Sequence, residues 1–264
     1  MDDFKLTLVQ TDPVWGEIGA NLSRVRKLCS RAGKTDLIVL PEMFSTGFIT
    51  DPSVGTEPDG GDSLALMKEI AASMDAAVAG SVAVKETADG TFRNRFYFVT
   101  PDGDVQFYDK HHLFTYGGEH LRYTAGKDRT IVEWRGVRIL LQVCYDLRFP
   151  IFARNGLRPD GTAIYDLVLY VASWPEARIG AWDALLKARA IENQCYLAAV
   201  NRVGKDPSNR YTGHSQVISP YGNLLSICKE YEEDVANCVI SISDLLSFRK
   251  KFPVLEDADN HKIV

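Results

Sequence analysis

No apolar run of about eighteen residues occurs in the chain, so nothing in it has the length of a transmembrane helix. The opening MDDFKLTLVQ has neither a basic start nor an apolar stretch of about 7–15 residues, and no secretory signal is expected. Cysteine is scarce: five residues, at 29, 144, 195, 228 and 238, odd in number, widely spaced and without a CxxC pair. That excludes a disulfide scaffold and points to free thiols in a reducing, cytoplasmic compartment. The sequon Asn21-Leu22-Ser23 carries no weight without secretion. Basic excess is also missing. A net charge of −5 and a pI near 5.6 argue against nucleic-acid binding, for which a basic face is the usual footprint. There is no linker rich in Pro, Gly or Ser and no fixed repeat, so residues 1–264 read as a single domain with a polar tail from about 252. What remains is ordinary folded-protein composition, 45% hydrophobic and 25% charged, in a chain long enough to bury a sizeable core.

Strands and helices interleave throughout. FKLTLVQ (4–10), DLIVLPE (36–42), AVAGSVAV (77–84), DLVLYVAS (166–173) and CYLAAVNRVG (195–204) read as strands, most of them continuous apolar runs typical of burial on both faces. Residues 17–32 place Leu22, Val25, Leu28 and Cys29 on one helical stripe, and 63–75 do the same with Leu66, Met67, Ile70 and Met74. Two strand pairs turn at Pro101-Asp102-Gly103 and at Arg135-Gly136; a third hairpin surrounds Pro220-Tyr221-Gly222-Asn223. A short helical stretch follows Cys144 to about Asn155. A helix covers 181–194, a strand 234–241 and a last helix 243–251. The hairpins exclude a purely parallel sheet; helices cover either one large mixed sheet or two.

Several chemical motifs fail on inspection. Gly33-Lys34-Thr35 would end a phosphate loop, but Leu28 stands where the loop needs Gly. Gly213-His214-Ser215-Gln216 hints at a nucleophile elbow, but Val217 replaces the second Gly and a strand follows. His111, His112 and His120 have no metal-ligand spacing, and neighbouring side chains on a strand face opposite ways, so no metal is expected. Cys29, Cys195, Cys228 and Cys238 sit in apolar segments and read as small buried hydrophobes.

Three positions stand apart. Glu42 ends LIVLP, Lys110 ends VQFYD and Cys144 ends RILLQV, each a reactive side chain at a strand exit. In helix-covered sheets ligands sit outside strand ends, so strands running the same way would bring the three together. Singly each is bland: a solvated acid, a surface lysine, a core thiol. Jointly they supply nucleophile, base and cation for acyl transfer. A nearby cation is expected to lower a thiol from its usual value of about 8.5. A carboxylate can shuttle the proton, and the backbone N–H of Tyr145 is placed to join Lys110 as an oxyanion donor.

PEMFSTGF (41–48), YDKHHLF (108–114) and CYDLRFP (144–150) resemble the three signature segments of the nitrilase superfamily of carbon–nitrogen hydrolases, in order along one chain. ASWP (172–175), KARAIENQCY (187–196) and NRVG (201–204) extend the resemblance from residue 4 to about 257. It implies a four-layer α-β-β-α sandwich and a Glu-Lys-Cys triad: Glu42 as general base, Lys110 as oxyanion stabiliser, Cys144 as nucleophile. Glu119 matches a second family glutamate that orients Lys110 and substrate. GGEH (117–120), the Trp174-Pro175 pair and the compact length resemble the omega-amidase branch. That branch removes ammonia from the distal amide of small dicarboxylate monoamides, such as 2-oxoglutaramate or 2-oxosuccinamate, through a Cys thioester without a cofactor. Other branches (nitrile hydrolases, carbamoylases) and a non-catalytic thiol sensor are the alternatives. The resemblance also implies a homodimer, with 147–156 and 176–192 at the interface and the polar tail crossing to the partner. For the substrate carboxylate, Arg178 in WPEARIG is the expected clamp, beside Trp174; Arg148 is expected to head into a helix and brace the fold.

Overall fold

Chain order in the computed structural model, which describes residues 3–259, runs β1 (Asp3–Gln10), α1 (Ile18–Cys29), β2 (Leu37–Val39), β3 (Glu57–Pro58), α2 (Asp62–Met74), β4 (Ala77–Lys85), β5 (Phe92–Val99) and β6 (Val105–Asp109). There follow β7 (Ile131–Trp134), β8 (Val137–Val143), β9 (Leu167–Ala172), α3 (Ile179–Glu192), β10 (Tyr196–Asn201), β11 (Val203–Lys205), β12 (Arg210–Thr212), β13 (Gln216–Ile218), β14 (Leu224–Ile227), β15 (Asp234–Ser241) and α4 (Ile242–Lys251).

The strands form two large mixed sheets. Sheet A has the order β15-β1-β2-β4-β5-β6, with β3 beside β4; sheet B has the order β14-β13-β10-β9-β8-β7. Their inner faces share one core: Leu6, Val39 and Phe98 from sheet A pack in the same cluster as Leu141, Leu169 and Val200 from sheet B. Leu169 is 0% exposed. Truncating a leucine so placed to alanine removes about 2–5 kcal/mol of stability. The outer face of sheet A is covered by α1 and α2. Val25, Leu28 and Cys29 of α1, and Leu66, Met67 and Ile70 of α2, recur at helical spacing and pack on Val9, Ile38 and Val78. The outer face of sheet B is covered by α3 through Trp182, Leu186 and Ala190. The result is the helix–sheet–sheet–helix sandwich implied by the resemblance.

The apolar runs are strands because they have no polar face to give to water: every residue of β9 and β10 is buried. Three readings need correction. The run 195–204 breaks at Arg202, whose guanidinium is buried and reaches Asp12 Oδ1 at 3.2 Å; β11 leaves sheet B to pair with β12 in a ribbon of its own. The stretch after Cys144 is not a helix to Asn155 but a single 3-10 turn, Cys144–Arg148, followed by irregular turns. Pro150 allows no further helical hydrogen bond there. Cys238, on edge strand β15, is only partly buried. The start of the tail stays on its own chain: Gln194 Nε2 donates to the Phe252 carbonyl at 2.7 Å, and Leu255 is buried. Residues 260–264, the rest of that tail, lie outside the described residues. Among the described residues, no helix is long and apolar enough to cross a membrane.

Strand direction decides where side chains at strand exits meet. In sheet A, β2 is parallel to β4, and two antiparallel steps through β5 make β6 parallel to both. In sheet B, β8, β9 and β10 are all parallel. Glu42 and Lys110 therefore leave sheet A at one end, and Cys144 and Ser173 leave sheet B at one end.

Candidate active site

Glu42 lies three residues beyond β2 and is 0% exposed. Its Oε1 accepts from Lys110 Nζ at 2.9 Å and from Asn94 Nδ2 at 2.8 Å; its Oε2 accepts from the Ser173 N–H at 2.8 Å. The next residue, Met43, has φ +44, which turns the chain sharply away from the strand. Its N–H is held by Ser81 Oγ at 2.9 Å on neighbouring β4.

Lys110 follows β6 directly. Its backbone N–H continues the ladder to the Asn94 carbonyl at 3.0 Å. Its own carbonyl accepts from the Gly126 N–H at 3.0 Å. Only glycine fits at 126, because a Cβ there would stand 2.1 Å from the Asp109 carbonyl oxygen. The ammonium bridges Glu42 and Glu119, with Glu119 Oε2 at 2.9 Å and Oε1 at 3.2 Å. Burial works against its charge, but the two carboxylates outweigh burial and hold Lys110 protonated well above the usual lysine value.

Glu119 sits on a 3-10 turn, Glu119–Leu121, and is also 0% exposed. It accepts from the Phe114 N–H at 2.6 Å and from Asn94 Nδ2 at 3.1 Å. Burial raises its carboxyl above the usual range; Lys110 pulls the other way, and the nearby Glu42 charge adds to the rise.

Cys144 opens the 3-10 turn after β8 with φ +46, in the left-handed region that a non-glycine residue occupies at a cost of about 1–3 kcal/mol. Asp146 holds that turn. Its carboxylate accepts from the Val143 N–H at 2.9 Å, the Tyr108 hydroxyl at 2.8 Å and the His112 N–H at 3.0 Å, and His112 Nδ1 lies 2.8 Å away. One buried acid thus ties the Cys144 turn to the segment that carries Lys110. Burial pushes the Cys144 thiol well above its ordinary value, Glu42 adds to the rise, and Lys110 only partly opposes it. This corrects the expectation from sequence. The cation is present, but it is already engaged by two carboxylates, so its pull on the thiol is outweighed and the net direction is upward. Tyr145 follows in the opening turn, where an N–H has no partner within the helix.

Of these groups Cys144, Tyr145 and Ser173 line a cavity of about 460 Å³, while Glu42, Lys110 and Glu119 are buried behind them. Trp174, Arg178 and Arg148 line it, together with Phe114 and Tyr211. Trp174 is nearly buried, and its indole N–H donates to the Arg178 carbonyl at 2.8 Å. The Arg178 guanidinium stands over Phe114 at 5.5 Å, and that of Arg148 over Trp174 at 4.9 Å. Among the described residues neither guanidinium has a carboxylate partner. Asp206, also at the rim, is occupied by its own loop, through the N–H groups of Ser208 and Asn209 and the Tyr211 hydroxyl. Arg148 therefore does not simply brace a helix; the helix it was expected to enter does not form, and its side chain reaches the cavity.

Sequence reasoning missed Asn94, Asp146 and Ser173 as site members. An Asn in the midst of a strand was a usable signal, since Asn is depleted there. The histidines also differ from expectation. His111 and His112 lie past the end of β6, so they do not alternate; their rings stand 4.5 Å apart and stack on Phe152 and Phe149. Among the described residues no group of three or more His, Cys, Asp or Glu is arranged to hold a metal. Ser215 is buried, with its hydroxyl 2.8 Å from Gln10 Oε1, away from any cavity.

Comparisons with known proteins agree with this geometry. The chain is 44% identical to the omega-amidase YafV of Escherichia coli K12 over 264 residues, all of both chains. It is 32% identical to a 2-oxoglutaramate amidase of Bacillus subtilis, across 96% of each. The crystal structure of XC1258 from Xanthomonas campestris, a CN-hydrolase superfamily protein with an arsenic adduct in its active site, superposes with a TM-score of 0.96 at 43% identity over the whole of both chains. With the carbon-nitrogen hydrolase profile matching residues 5–250, this chain belongs to the carbon-nitrogen hydrolase family, the nitrilase superfamily.

Proposed function

We propose that the protein is an omega-amidase-like enzyme that hydrolyses the distal amide of small dicarboxylate monoamides, with 2-oxoglutaramate and 2-oxosuccinamate as the model substrates. The observation that carries the reading is the cavity itself. A thiol lines it, a buried acid–lysine–acid group lies behind that wall and reaches it through the Ser173 N–H, and two guanidiniums without carboxylate partners among the described residues line it as well. A small amide with a carboxylate at its far end meets both. The similarity to omega-amidases and 2-oxoglutaramate amidases supports the same substrate class.

In this reading Glu42 takes the Cys144 proton as the sulfur attacks the amide carbon. With burial and Glu42 both raising the thiol, proton transfer is coupled to attack in this reading, and no standing thiolate is needed. The developing oxyanion is met by the Lys110 ammonium and the Tyr145 N–H; one such donor contributes about 10²–10³ in rate. Glu42 passes its proton to nitrogen, the C–N bond breaks and ammonia leaves. Water, deprotonated by Glu42, then cleaves the thioester and frees the acid and the thiol. Glu119 keeps Lys110 in place. Arg178 grips the substrate carboxylate against Phe114, and Trp174 forms the adjacent wall. All steps are accounted for by the chain's own residues.

Ammonia release across a panel of amides tests the substrate class. The wild type should favour amides with a distal carboxylate. Arg178→Ala should raise KM for those by roughly 10-fold, since a charge-assisted hydrogen bond contributes about 1.5–3 kcal/mol and this one is partly solvated, while neutral amides barely change. Preference of the wild type for neutral or aromatic amides would overturn the assignment.

The same reading includes a homodimer joined through 147–156 and 176–192, where Ile151 and Ile191 expose apolar surface. Sedimentation at micromolar concentration should report twice the chain mass, and a monomer would contradict it. With five cysteines and none paired, a reducing cytoplasmic compartment is the natural setting. Recovery of the protein from the secreted fraction would contradict that placement.

A further inference from the structure

Asn94 lies on β5 and is 1% exposed, in a position usually filled by an apolar side chain. Its Nδ2 donates to Glu42 Oε1 at 2.8 Å and to Glu119 Oε1 at 3.1 Å. Both neighbours are carboxylates, so the amide must turn its nitrogen toward them; its Oδ1 is left buried without a hydrogen-bond partner. Asn94 and Lys110 thus bridge the same two acids side by side, one neutral and one charged. The same residue also receives the Lys110 backbone N–H on its carbonyl at 3.0 Å. A buried carbonyl oxygen left unmet costs about 1–3 kcal/mol, which a residue chosen only for packing would not incur.

We infer that Asn94 is a positioning residue for the reaction: its two N–H bonds hold the Glu42 and Glu119 carboxyl groups apart on either side of Lys110 and fix the orientation of Glu42 toward Cys144. This rests on the reading of Glu42 as the base. The groups facing Glu42 are Lys110 beyond β6, Glu119, Cys144 beyond β8, the Ser173 N–H beyond β9, and Tyr123 nearby. Arg93 and Arg95 flank Asn94 but point to the other side of the strand, where Arg95 pairs with Asp109 and Glu86. Among the described residues, Asn94 is therefore the one neutral side chain that donates to both acids.

The test is the pH profile of kcat/KM for Asn94→Ala and Asn94→Asp on the preferred acidic amide. Loss of a donor to an ionised carboxylate disfavours ionisation, so the acidic limb should move to higher pH in Asn94→Ala, by roughly one unit. At neutral pH kcat should fall roughly 10–100-fold, the effect of slight misplacement of a reacting group, with KM nearly unchanged. Asn94→Asp has the same size but sets an acid against two acids, and should lose more activity than Asn94→Ala. A mere space-filler predicts the reverse order, since the isosteric variant would be harmless and the truncation harmful. That order, or acidic limbs that superpose on the wild type, would overturn the inference. If Asn94→Ala fails to fold, the profile of Asn94→Asp alone decides. Failure of the underlying reading looks different: Glu42→Gln would then still release ammonia, whatever Asn94 does.

Discussion

Sheet A delivers Glu42, Asn94, Lys110 and, through the loop beyond β6, Glu119; these four side chains bond chiefly to one another. Sheet B delivers Cys144 beyond β8 and Ser173–Trp174 beyond β9, with Arg148 and Arg178 on the segments that follow, and most of these polar groups look into the cavity rather than at each other. One rim holds carboxylates whose every oxygen already has a donor before any substrate arrives. The other holds groups that a substrate would match. The contrast shows how a buried acid–lysine–acid cluster is tolerated: each carboxylate oxygen of Glu42 and Glu119 meets a donor, most of them from sheet A and its loops and one, the Ser173 N–H, from sheet B.

The sharpest way to break the contrast is to remove one member from each rim. Cys144→Ala and Glu42→Gln should each reduce ammonia release by about 10³-fold or more, and the double variant should lose little beyond the worse single one, because residues acting as a unit are not additive. Additive losses would mean that the two rims work independently.

A smaller effect concerns the resting sulfur. Burial and Glu42 push the Cys144 thiol up, so alkylation of the free enzyme at neutral pH should be slow and should climb as pH rises above the ordinary thiol range. Partly buried Cys238 should compete with it, contrary to the expectation that the other four thiols are all protected. In Glu42→Gln the repelling charge is gone while Lys110 remains, so Cys144 should alkylate several-fold faster at the same pH, opposite in sign to the loss of turnover. Peptide mapping after timed iodoacetamide treatment reads both sites. An unchanged rate at Cys144 in that variant would show that Glu42 does not govern the thiol.

The strands and helices were legible wherever periodicity or continuous burial spoke for itself. α2 lies within a residue of its expected bounds at each end, and β9 and β15 fall where the apolar runs place them. The exits bearing Glu42, Lys110 and Cys144 could also be read, because a polar residue ending an apolar run is a local signal. What could not be read depends on pairing across long stretches of chain. Asn94 matters because β5 lies between β4 and β6, and Ser173 because the sheets stack so that its N–H meets Glu42. Arg148 was misjudged through local reasoning of the same kind: four residues past Cys144 suggested a helix, whereas Asp146 and Pro150 confine the segment to one turn.

The closing strand β15 pairs along its whole length with β1, residue 3 opposite 241 and residue 10 opposite 234. On the ribosome, therefore, β1 is made long before the strand that covers its edge. Until residue 241 clears the exit tunnel, one edge of sheet A has no neighbour, and the N–H that meets Glu42 is itself absent until residue 173 is made. The nascent chain is then a large sheet protein with an open apolar edge, slow to fold because its contacts are distant in sequence, and a natural client for chaperones.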